Sequence, residues 1–206
     1  MKNFSIFVFA AAVAIASGQF AQGQGNQEAN KLAREGGQAS KDQDWDKAIN
    51  LLKKASDMDH KYAPNLAAAY QQRAIAETNE QRFQDALLDL EAALKVTPKD
   101  GRIYETRAAI EMRISDYDKA LADYTEGIKL NPNDVRLYNL RAYIYEMRGD
   151  VANSMADTDK ALKIQPKNPE AVGRKQRLQK IQQLNAAPNT TPVPAPPRPS
   201  PPPKKP

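Results

Sequence analysis

Three prolines, Pro98, Pro132 and Pro166, stand 34 residues apart, and each closes the same kind of segment: ALKVTP, GIKLNP and ALKIQP. A fixed period of that length marks a chain built from stacked copies of one small unit, none of which buries its apolar face alone. Sliding the chain on itself by one period also aligns Tyr70, Tyr104 and Tyr138, then Ala74, Ala108 and Ala142, then Phe83, Tyr117 and Val151. Within a unit, Tyr138, Ala142 and Tyr145 follow helical spacing, and Thr158, Ala161 and Ile164 line a second helix. Each unit therefore predicts a helical hairpin, turning at Ser115-Asp116 or Gly149-Asp150. The expected fold class is all-α.

The small residues have a physical reason: two helices approach closely only where a side chain is nearly absent, and a bulky group forced in costs roughly 1–3 kcal/mol. Asp100, Asp134 and Asn168 each stand two residues after a closing proline and suit helix N-caps, and Pro169 suits a first helical position. The pattern resembles the tetratricopeptide repeat (TPR) family, which has small residues where Ala74, Ala108 and Ala142 stand. An aromatic opens its second helix, as Phe83 and Tyr117 do, and small residues follow at Ala86 and Ala120, then Ala93, Gly127 and Ala161. An earlier unit fits residues 29–62 through Leu32, Gly36, Trp45, Ala48, Leu52 and Ala55, with His60 in place of the closing proline and Pro64 four residues late. The resemblance implies about four hairpins in a TPR-type solenoid, at 29–62, 67–100, 101–134 and 135–168, with a capping helix at 169–185. The four extra residues before Pro64 predict a longer first helix in the second repeat or a longer loop.

The ends read differently. Met1 to Asn3 and the apolar run Phe4 to Ala16 resemble a cleaved secretory signal, since 13 helical residues span only about 20 Å against a hydrocarbon core of about 30 Å. The expected organisation is a signal at 1–21, a linker at 22–28 and a disordered proline-rich tail at 186–206. The protein is expected in an exported compartment, periplasmic or extracellular, and soluble. The formal net charge of +5 is uneven: residues 163–206 carry nine Lys/Arg and one acid, while residues 19–162 carry 20 Lys/Arg against 24 Asp/Glu. A mildly acidic body makes nucleic acid an unexpected partner. With no Cys and only His60, there is no disulfide framework, no cysteine zinc site and no nucleophile-base pair away from that histidine. Neither a cofactor nor an enzyme activity is expected.

One charged pattern recurs inside the units. Arg73, Arg107 and Arg141 precede the small alanines, and Asp89, Asp123 and Asp157 lie 16 residues further on; in the first unit both change, to Glu35 and Leu51. This predicts an Arg to Asp pair bridging each of three hairpins, with Glu77 and Glu111 four residues after their arginines as candidates to join it.

A second stripe on the first helices, which the family resemblance implies faces a concave groove, carries Arg34, Lys41, Arg102, Arg113 and Arg136 against Glu105 and Glu146, a net of +3. Gln72 and Asn139 lie in it beside the apolar Ile75 and Tyr143. Ala33 and Gly37 stand where the family's carboxylate clamp needs Lys and Asn. The expected partner is a protein or peptide segment, extended and acidic with an apolar anchor, met by Arg102, Arg136 and Tyr143. The alternative is a rigid spacer held to an anionic envelope polymer or membrane surface by its tail and by Arg174, Lys175, Arg177 and Lys180 of the capping helix. Self-association through the repeat ends also stays open.

Overall fold

The computed structural model describes residues 25–186. The expected signal and nearly all of the proline-rich tail lie outside them. The described residues form helices and turns without a strand, and none of their helices is long and apolar enough to cross a membrane. They divide into two compact units, one ending at Pro98 and the other starting at Lys99.

The first unit contains α1 (residues 25–41), α2 (Trp45–Met58), a 3-10 turn at His60–Tyr62, α3 (Ala63–Asn79) and α4 (Phe83–Val96). The four extra residues lengthen α3, which has 17 residues against 13 in α5 (Gly101–Arg113) and α7 (Val135–Met147) of the second unit. Its core joins Ile49 and Leu52 of α2 to Leu66 and Ala69 of α3, with Ala33, Tyr70 and Val96 packed around them.

The second unit runs through α5, α6 (Tyr117–Leu130), α7, α8 (Val151–Ile164) and α9 (Pro169–Ala186). One cluster gathers Ala108, Ala120, Tyr124, Leu137 and Ile144; another seats Ala171 of α9 against Tyr138 and Ala161. Gly127 allows a close approach, since a Cβ there would stand 3.3 Å from Leu137 Cδ1.

The same local devices start and stop each hairpin. Within each one the first helix ends in a left-handed residue, at Gln43, Gln81, Ser115 and Gly149 with φ of 60°, 62°, 64° and 73°. The next amide then reaches back to a carbonyl five residues earlier: Asp44 to Ala39, Arg82 to Glu77, Asp116 to Glu111 and Asp150 to Tyr145, at 2.8–2.9 Å. This closure satisfies carbonyls that the helix end leaves over. Only Gly149 adopts that backbone without a Cβ penalty. Asp44, Asp116 and Asp150 then cap the second helix, accepting from Lys47, Lys119 and Asn153 amides. Helices α4, α6 and α8 stop two residues short of the periodic prolines, because the residue before a proline is driven out of helical geometry. Asp100, Asp134 and Asn168 cap the helices that follow.

Candidate interaction surfaces

The recurring arginines and aspartates meet inside their hairpins. Arg73 Nε and Nη2 donate to Asp89 at 2.5 and 2.6 Å, Arg107 to Asp123 at 2.6 and 2.7 Å, and Arg141 to Asp157 at 2.8 and 2.8 Å. Each is a two-pronged clasp on a buried carboxylate, the geometry in which arginine is strongest. Arg73 also donates to Asp46 of α2 at 2.6 Å, and Arg141 to Thr125 Oγ1 at 2.9 Å. Each clasp joins the two helices of its hairpin.

Glu77 and Glu111 lie buried beside the clasps, yet no clasp hydrogen bond goes to Glu77, whose Oε1 instead faces Arg82 Nη1 at 3.3 Å. Glu77 Oε2 and Glu111 Oε2 are buried without a hydrogen-bond partner. Burial, reinforced by the Asp123 charge, pushes the Glu111 carboxyl up to about 7, and burial with Asp89 raises that of Glu77.

The stripe residues divide. Arg34 and Gln72 of the first unit are exposed, as are Arg102, Arg113, Arg136 and Tyr143 of the second. The cations are not bare. Arg102 holds its own cap Asp100 at 3.0 and 2.7 Å, which lowers the Asp100 carboxyl, and Arg136 holds Asp134 at 2.8 Å and Glu105 at 3.0 Å. The Arg136 to Glu105 pair bridges α7 and α5.

Asn139 overturns its expectation. It is 3% exposed, donating to Asn168 at 3.0 Å and accepting from Arg174 at 3.4 Å, because α9 lies over it. The same helix engages cations that the anchoring alternative needs for an outside polymer or membrane surface. Arg174 is 2% exposed and paired with Glu146 and Glu170; Arg177 also bonds Glu146, and Lys175 bonds Asp159 at 2.7 Å. Burial would raise the Glu146 carboxyl, but its two arginines outweigh this and hold it low.

A sequence model described as the ETO1 C-terminal domain matches residues 13–183. The chain belongs to that TPR-like family. No curated protein sequence matches it. Among solved structures, a tetratricopeptide repeat protein from Parabacteroides merdae aligns with a TM-score of 0.59 at 23% identity, over 76% of this chain and 61% of that one. The TPR domain of P58(IPK) gives 0.55 at 18% identity, over 76% and 47%. The first TPR of Spaghetti (RPAP3), solved bound to the HSP90 peptide SRMEEVD, gives 0.54 at 15% identity, over 58% and 95%. The shared feature is the fold, an all-α TPR repeat.

Proposed function

We propose that this chain is a non-enzymatic protein-interaction module that holds an extended, acidic segment of a partner protein on the first helices of its second unit, α5 and α7. The observation that supports this reading is the Arg136 to Glu105 bridge between α7 and α5, with the side chains of Arg102 and Arg136 77% and 68% exposed and Tyr143 exposed as well. Their ion pairs are exposed, and such pairs contribute only about 0–1 kcal/mol. A partner carboxylate therefore replaces Asp100, Asp134 or Glu105 at small cost, while Tyr143 offers a ring to an apolar anchor. The neutralisation of Glu146 by α9 removes a competing negative charge from the same stripe. The RPAP3 domain solved with an acidic HSP90 peptide lends support from a shared fold, although Ala33 and Gly37 stand at clamp positions here. The apolar run at residues 4–16 supports an exported setting for this activity. The anchoring alternative loses ground because three cations of α9 are engaged with the protein's own carboxylates.

The test is fluorescence anisotropy with a labelled, blocked peptide of alternating Glu and Leu. Wild-type binding is expected to weaken as salt rises. Arg102→Glu combined with Arg136→Glu is expected to weaken it at least tenfold; unchanged affinity contradicts the stripe assignment.

A further inference from the structure

The first unit contains a surface cleft of about 610 Å³ between the start of α2, the flank of α3 and the start of α4. None of the proposed stripe residues lines it. Five carboxylates do, from Asp44, Asp46, Glu77, Asp85 and Asp89, against the guanidinium groups of Arg73 and Arg82, leaving a net of −3. Asp89 is consumed by the Arg73 clasp, whereas Asp46 and Asp85 meet Arg73 and Arg82 at 2.6 and 3.3 Å with side chains still 93% and 54% exposed. Glu77 also lines the cleft, with its Oε1 3.3 Å from Arg82 Nη1 and its Oε2 buried without a hydrogen-bond partner, as Glu111 Oε2 is in the next hairpin.

Comparison along the repeat isolates what is particular to this place. Asp85 occupies the position of Lys119 in the next hairpin, where the lysine neutralises Asp116 at 2.8 Å. Leu88 occupies the position of Ala122 and Ala156, and it is 63% exposed. A solvent-facing column filled twice by alanine has thus become a large aliphatic group, and a basic position has become acidic, within one helical turn. Trp45, half-buried, adds an aromatic wall to the same cleft.

We propose that this cleft is a second docking site, taking a partner segment in which an arginine stands beside an aliphatic residue. The guanidinium sits between Asp46 and Asp85, where its planar fork of five donors matches carboxylate oxygens better than a lysine ammonium does. The neighbouring aliphatic side chain packs on Leu88 and Trp45. Charge complementarity decides the occupant: an acidic segment would bring its charge against a surface already three units negative. The site therefore selects the opposite charge from the stripe on the first helices, and each stands or falls by itself.

Trp45 is the only tryptophan in the chain, so its emission reports on this cleft alone. The probe is a blocked peptide of three Leu-Arg repeats, titrated into the full chain, with a peptide of three Leu-Glu repeats as control. Saturable change in Trp45 emission is expected with the first peptide and not with the second. Asp46→Asn combined with Asp85→Asn should weaken binding at least tenfold, and Leu88→Ala about threefold, each variant first checked for its helical circular dichroism. Asp57→Asn, an exposed carboxylate of α2 outside the cleft, should leave affinity unchanged. Equal response to both peptides, no saturable response, or wild-type affinity in the Asp46, Asp85 and Leu88 variants would each overturn the proposal.

Discussion

The hairpin formed by α1 and α2 and the one formed by α5 and α6 share a turn of the same hand and the same backbone closure, yet their helices are joined by different means. In α5 and α6 the contact is Ala108, fully buried, beside the Arg107 to Asp123 clasp, with Arg107 also standing 5.7 Å from the Tyr104 ring centre. In α1 and α2 the matching residues are Gly36, Glu35 and Leu51, and no charge pair can form. The helices instead approach until a Cβ on Gly36 would lie 2.7 Å from Leu52 Cγ and 3.2 Å from Leu51 Cβ. An apolar seam over glycine and a charged clasp over alanine are thus alternative solutions to one packing problem. Arginine and aspartate change together, and the small residue changes with them.

The sharpest way to break this equivalence is to remove half a clasp. Arg107→Ala leaves the buried Asp123 carboxylate without its two donors and is expected to destabilise the protein by about 3 kcal/mol, read by denaturant unfolding. Arg107→Met with Asp123→Leu, which imitates the apolar solution, should recover most of that loss. If the double variant is as unstable as the single one, the clasp is not interchangeable with an apolar seam. A smaller effect is expected at the glycine. Gly36→Ala should cost about 1–2 kcal/mol, because Leu52 is buried and has little room to yield, after an offset of roughly 1 kcal/mol from better helix propensity. Gly37→Ala, where a Cβ meets nothing within 4 Å, should stabilise instead, which separates close approach from propensity.

The third and smallest effect sharpens the comparison through pH. The glutamate four residues after the clasp arginine is buried in two hairpins, whereas the first hairpin has Ala39 there. Glu111 has its carboxyl raised from the ordinary 4.5 to about 7, so the folded state binds its proton more tightly than the unfolded chain does. Its contribution is complete below about pH 4.5 and is lost as pH rises through 7. Melting temperatures at pH 5 and pH 8 should show this loss, and Glu111→Gln should reduce it by about 1 kcal/mol once solvent screening is discounted. An unchanged pH dependence would place the ionisation elsewhere.

The period made the hairpins legible, because each copy is folded by the same contacts and a residue such as Ala108 is read three times over. The clasps were legible for the same reason, each joining two positions within one unit. What the repeat could not convey was any residue whose neighbour lies outside the pattern. Asn139 shares its column with exposed-looking polar residues, but α9, which follows the last repeat, covers it and buries Arg174 with it. The orphaned oxygens of Glu77 and Glu111 were equally hidden, since their depth depends on packing and not on spacing. Leu88 was detectable: an exposed leucine in an alanine column is a departure from the repeat, visible once each position is compared across units.

The most direct measurement of the functional reading is residue-resolved NMR shift mapping of the chain titrated with the alternating Glu and Leu peptide. The account predicts saturable shifts centred on Arg102, Glu105, Arg136 and Tyr143, with Asn139 and the buried clasp residues little changed. Shifts confined to the second helices α6 and α8, or none at saturating peptide, would contradict it.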